Sequence, residues 1–198
     1  DADYVASVLQ GIEGSIVLVG HSYGGAVITN AVKDNENVKA LVYVAAFAPD
    51  AGETAVELSG RYPGSTLGPT LATPVDLPDG GKDLYIQQDK FHEQFAADVP
   101  VNDAQLMAST QRPITEAALN EASGVPAWKS VPSWFIYGDR DLNIPAAALS
   151  FMAERANSNE TVVVNGASHV VMVSHPDAVA AVIEHAAMSP QDRSANAQ

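Results

Sequence analysis

Residues 16–25 read IVLVGHSYGG, an apolar run that closes on a serine set among glycines. The run is short, continuous and rich in β-branched residues, which fits a strand covered on both faces in a parallel sheet. From Ala26 the stretch AVITNAVKD has the spacing of a helix, with small residues that permit close approach to that strand. Strand, sharp turn and helix therefore follow one another, and Ser22 stands at the turn. Gly20-His21-Ser22-Tyr23-Gly24 has the form G-x-S-x-G. A strand that turns straight into a helix strains the backbone of the central residue, and small neighbours leave it room. The bare pattern arises by chance in roughly one chain in twenty of this length, so the strand before it and the helix after it carry the argument. The turn projects Ser22 at the edge of the sheet, beside a helix amino terminus where the N–H of Tyr23 can stabilise an oxyanion.

Outward from the turn, Val5, Val8 and Leu9 recur at helical spacing before Gly11 and Gly14, and predict a first helix over Asp3–Gln10. On the other side VKALVYVAAF at 38–47 is a second buried-strand pattern, completing a right-handed βαβ unit. Between Ala48 and Pro132 the periodicity weakens, and Pro63, Pro69, Pro74 and Pro78 are interspersed with five glycines. An excursion of this length is expected to be a functional lid. Within it DLYIQQ reads as a short strand, and KFHEQFAADV and VNDAQLMASTQ as short helices. Regular texture resumes with the strand SWFIYG at 133–138, a helix opening at Pro145, the strand ETVVVNG, and a closing helix HPDAVAAVIEHAAM. The expected organisation is a core of residues 1–49 and 132–188, a cap of 50–131 and a frayed tail of 189–198. Strands alternating with helices point to a mostly parallel sheet with helices on both faces.

Composition narrows the function. The chain has 198 residues, 46% of them hydrophobic, enough for one domain with a sizeable core. Ten Lys and Arg against 24 Asp and Glu leave a net charge of −14, which repels phosphate backbones and anionic lipid surfaces. Nucleic acid and membrane are therefore not expected partners, and without an apolar run long enough to cross a bilayer the domain is expected to be soluble. The absence of cysteine excludes disulfides, thiolate metal sites and a cysteine nucleophile, and leaves the compartment open. Neither carboxylate pairs at metal-ligand spacing nor a phosphate loop with its lysine is present, so no metal and no cofactor is expected.

Taken together, IVLVGHSYGG at 16–25, WFIYGDRDLNIP at 134–145 and GASHVVMVSHPDAV at 166–179 resemble the α/β-hydrolase superfamily, in particular its small esterase-type members. The resemblance covers the turn at Ser22 and everything after it. A serine hydroxyl needs a base to become a nucleophile, and a histidine base needs an acid to fix its tautomer. Of the five histidines, His169 occupies the loop after the last expected strand, where the family pattern places its catalytic histidine, with His175 as the second candidate. His21 is assigned a structural or pocket-lining role. The family's spacing of glycine, two residues and aspartate ahead of a helix near proline selects Asp141, with Asp50 as the alternative position. Asp139 is expected to cap the helix at Pro145 or to pair with Arg140. The chain order Ser22, Asp141, His169 is that of the superfamily.

The resemblance implies hydrolysis of small carboxylic esters through an acyl-enzyme, with Tyr62, Tyr85, Phe91, Phe95 and Trp128 as candidates for lining the pocket. A hydroxynitrile lyase-like or perhydrolase-like enzyme of the same fold, and a non-catalytic fragment with an incomplete oxyanion hole, are the alternatives. Only 21 residues precede Ser22, whereas the family pattern has several strands there and a second oxyanion donor after the third. The strand before Ser22 is accordingly expected to present an unpaired edge, and the expectation is a partial α/β-hydrolase fold: either these residues are the carboxy-terminal part of a longer enzyme, or another copy or a second chain supplies the missing strands.

Overall fold

The computed structural model describes residues 1–188; the tail expected at 189–198 lies outside the described residues. In chain order the elements are α1 (Ala2–Leu9), β1 (Ile16–His21), α2 (Tyr23–Ala31), β2 (Val38–Val44), α3 (Ala55–Gly60), α4 (Leu67–Thr70), β3 (Val75–Asp76), β4 (Lys82–Leu84), α5 (Gln88–Phe95), α6 (Val101–Thr110), β5 (Ile114–Thr115), α7 (Glu116–Asn120), a 3₁₀ turn (Ala127–Lys129), β6 (Ser133–Gly138), α8 (Ala146–Arg155), β7 (Glu160–Val164), α9 (Val171–Ser174) and α10 (Pro176–Ala187).

The main sheet has the order β1-β2-β6-β7, and every pairing in it is parallel. Parallel neighbours need crossovers: α2 returns the chain from β1 to β2, and α8 from β6 to β7. The helices α2 and α10 each pack on β1 and β2, and α10 also lies on β6, so the sheet carries helices on both faces. The strand β6 is buried throughout, as is β2 apart from Lys39. The expectation of full coverage fails for β1, where Val19 is 43% exposed. The physical reason is position, since β1 ends the sheet among the described residues and only its β2 side is paired.

The core between sheet and helices is built from residues exposed by less than 2%, among them Leu41, Tyr43, Phe135, Ile136, Leu149 and Met152. Each such apolar side chain contributes about 1.5–3 kcal/mol through burial. Tyr43 stacks on Phe135 at 4.5 Å across β2 and β6. Its hydroxyl is satisfied by Thr29 on α2 at 2.9 Å, as a buried phenol requires.

The segment between β2 and β6 holds a second, antiparallel sheet of order β3-β4-β5. The strand expected over DLYIQQ at 83–88 overlaps β4 only at Asp83 and Leu84, and Gln88 already opens α5; β3 and β5, at two residues each, leave no period to read. The helix α3 was also not legible from apolar spacing, although Thr54 and Glu57 close a full capping box at its start, a signal of the form T-x-x-E. A separate apolar cluster of Ile86, Phe91, Ala96, Val99, Ala104 and Ala108 forms under α5 and α6, and it includes Val170 from the loop after β7.

Candidate functional site

The strand β1 delivers the chain to Ser22, whose backbone sits at φ 54 and ψ −124. A non-glycine residue in this region is strained by about 1–3 kcal/mol and persists only where its surroundings impose it. Here they do: the Ser22 N–H donates to the Val44 carbonyl at 3.3 Å, and the Ser22 carbonyl accepts from Gly25 at 3.0 Å and Phe47 at 3.1 Å. The glycines divide the steric work differently from the five-residue pattern. A Cβ on Gly20 would stand 2.6 Å from the Gly24 carbonyl oxygen, and one on Gly25 would collide with the Phe47 carbonyl. A Cβ on Gly24 meets nothing within 4 Å. Gly25, outside the pattern, is thus the residue that lets α2 dock on the chain after β2. The Tyr23 N–H lies in the first turn of α2, where backbone donors have no intrahelical acceptor.

From Ser22 a continuous line of hydrogen bonds runs to the far loops. The Ser22 Oγ lies 2.8 Å from His169 Nε2, and His169 Nδ1 lies 2.7 Å from Asp141 Oδ2. A carboxylate only accepts, so Nδ1 carries the hydrogen and Nε2 is left to accept from the serine hydroxyl. The second oxygen of Asp141 accepts from the N–H groups of Asn143 at 2.8 Å and Ile144 at 2.9 Å, which orients the carboxylate. Asp141 is 4% exposed and His169 fully buried. The three residues predicted from the sequence are therefore brought together, from the ends of β1, β6 and β7.

The other candidates stand elsewhere. His175 contacts Ser174 Oγ at 3.0 Å and Asp98 at 3.7 Å, whereas the Ser22 hydroxyl is partnered by His169. Asp50 pairs with Lys129. Asp139 neither caps the helix at Pro145 nor pairs with Arg140: its Oδ1 accepts from the Gly166 N–H at 2.7 Å, joining the loops after β6 and β7. The hydrogen-bonded turn ahead of Pro145 is made by Asp141 itself. Of the five aromatic residues suggested as pocket lining, Phe95 alone makes ring contact with His169 among the described residues, edge-on at 4.9 Å. Phe91 packs behind Phe95, Tyr62 against Phe151, and Trp128 lies in the main core with its Nε1 donating to the Pro49 carbonyl.

His21 does more than line the turn. Its Nε2 stands 3.0 Å from the His169 carbonyl; because a carbonyl only accepts, Nε2–H donates. Burial, with the nearby His169 adding to it, pushes the His21 ring down to about 3, so this imidazole is neutral at ordinary pH. Alternation in β1 could have suggested that His21 turns inward, but its partner 148 residues away is not readable from the sequence.

A cavity of about 630 Å³ opens beside α1 and α2, with Tyr23, Asn30, Glu53 and Glu121 in its walls. Ser22 and His169 do not line it. Among the described residues no group of His, Asp and Glu is arranged to hold a metal ion, and no helix is long and apolar enough to cross a membrane.

Comparison with known proteins identifies the family and the fold. The chain is 28% identical over 195 residues to a pyrethroid hydrolase of Sphingobium wenxiniae, covering 95% of this chain and 69% of the relative. It is 25% identical over 170 residues to an α-hydroxynitrile lyase of Arabidopsis thaliana, covering 81% and 66%. The crystal structure of polyneuridine aldehyde esterase superposes with a TM-score of 0.79 at 19% identity, covering 94% of this chain and 78% of that one, a likeness of fold. The model of the alpha/beta hydrolase family matches residues 1–182, and the chain belongs to that family.

Proposed function

We propose that the chain is a serine hydrolase that cleaves small carboxylic esters through an acyl-enzyme. The observation that carries this is the unbroken line from Ser22 Oγ through His169 to Asp141. As Ser22 Oγ bonds to the ester carbonyl carbon, its proton passes to His169 Nε2, and Asp141 stabilises the imidazolium that results. The Tyr23 N–H faces the developing oxyanion at the start of α2. Collapse breaks the bond to the leaving alkoxide, which takes the proton from His169 and departs as the alcohol. Water then repeats the sequence: it adds to the acyl carbon, gives its proton to His169, and the acid is released as Ser22 recovers that proton. Residues 50–131 serve as the cap over the acyl or alcohol side, with Phe95 as its apolar wall beside His169.

A second reading, cleavage of a cyanohydrin, is favoured by the likeness to the α-hydroxynitrile lyase, and the same three residues suit it. Incubation with a fluorophosphonate probe, followed by p-nitrophenyl acetate turnover and cyanide release from a cyanohydrin, tests both. The ester reading expects labelling on Ser22 and turnover that is lost in Ser22→Ala. Cyanide release without ester turnover selects the second reading, and no labelling of the wild type overturns both.

A further inference from the structure

The end of α5 touches both loops of the candidate triad. Gln94, 3% exposed, donates through Nε2 to the Leu142 carbonyl at 2.9 Å and to Asn143 Oδ1 at 2.8 Å, and its Oε1 accepts from Thr66 at 2.7 Å. Leu142 and Asn143 are the two residues that follow Asp141, and the Asn143 N–H is one of the two that orient its carboxylate. The next residue, Phe95, lays its ring edge-on against the His169 imidazole and accepts the Ser168 hydroxyl on its carbonyl at 3.2 Å. Beyond them Val170 is buried in the apolar cluster beneath α5 and α6, and Asp98 faces His175. Neighbouring residues of one helix thus hold the acid loop and the histidine loop, which lie 28 residues apart in sequence.

We propose that Gln94 and Phe95 are positioning residues: the carboxy-terminal turn of α5 sets the distance between Asp141 and His169, so that seating of this segment and alignment of the triad are one event. This rests on the serine-hydrolase reading above. A buried amide with both N–H groups and its oxygen engaged is a rigid spacer, and reacting groups displaced by about 1 Å lose on the order of a hundredfold in rate. The cluster around Val170 gives the contact its seat, and Gln94 gives it register.

The test compares wild type with Gln94→Met, which keeps the shape and removes the hydrogen bonds, with the pair Thr66→Val and Gln94→Met, which also removes the orphaned hydroxyl, and with Phe95→Leu. Each is expected to lower kcat for p-nitrophenyl acetate by about ten- to a hundredfold with KM changed by less than about twofold. The fluorophosphonate labelling rate should fall by the same factor. In the proton NMR spectrum the downfield His169 Nδ1–H signal, present in wild type, should move upfield or broaden. The double variant keeps the measurement sound where the single one folds poorly. If Ser22→Ala abolishes turnover while folded Gln94 and Phe95 variants keep kcat within twofold and the Nδ1–H signal in place, the proposal is overturned and the triad stands. If wild type is not labelled and shows no such signal, both fall together.

Discussion

The two halves of the candidate site are held in different ways. Ser22 is placed by backbone: a positive φ, three main-chain hydrogen bonds and two glycines, all within the β1-α2-β2 unit and the residues just after it. In the Asp141–His169 half the carboxylate accepts from the N–H groups of its own loop at Asn143 and Ile144, and the two loops are also touched by side chains from other parts of the chain, Gln94 and Phe95 on α5 and His21 on β1. Side chains added at Gly20 or Gly25 in the first half should therefore act on folding, because a backbone clash has no local remedy. Changes in the second half should act on geometry within a fold that survives.

The largest separation between the halves and the rest of the molecule lies in the chemistry. Ser22→Ala is expected to reduce ester turnover by about 10⁵-fold or more, and Asp141→Asn, which keeps the shape and alters the His169 tautomer, by about 10⁴-fold. Kinetics on p-nitrophenyl acetate, with circular dichroism to show that the fold persists, check both. Equal small losses in the two variants would break the triad assignment.

Stability measurements sharpen the contrast on the backbone side. Gly25→Ala is expected to cost about 1–3 kcal/mol or more, since its Cβ meets the Phe47 carbonyl. Gly24→Ala, with open space around the new methyl group and a helical position, should be neutral or stabilising by up to about 1 kcal/mol. Urea unfolding of the pair decides the matter, and equal effects would mean that the turn is held by something other than the approach of α2 to Phe47.

On the side-chain side, His21 predicts a pH dependence. Its folded value is about 3 against an ordinary 6.5, so in that window the unfolded chain binds a proton that the folded chain does not. Stability contributed by the neutral ring is therefore complete above about 6.5 and lost as pH falls toward 3, with a slope of up to about 1.4 kcal/mol per pH unit. In His21→Gln the slope between pH 6 and 4 should be shallower by that amount, as read from urea unfolding at each pH. The smallest effect is expected at Asp50, which pairs with Lys129 at a part-exposed site: Asp50→Asn should leave kcat/KM within about twofold and stability within about 1 kcal/mol.

Much of the molecule was legible in its sequence because the relevant signals are local. A β-branched run closed by glycine marks β1 and β6, and the residues after each of those runs mark Ser22 and Asp141. The strand ETVVVNG marks the loop that carries His169. The alternation of strands and helices indicated the parallel sheet without further information. The tertiary structure alone decided the remainder, since it depends on residues far apart in sequence. It left Val19 on β1 exposed, gave Gly25 the steric role that the five-residue pattern assigns to Gly24, and turned Asp139 toward Gly166. It also brought Gln94 onto the acid loop and Phe95 onto His169. No periodicity encodes such contacts, because each arises only when two surfaces, patterned separately, are packed against one another.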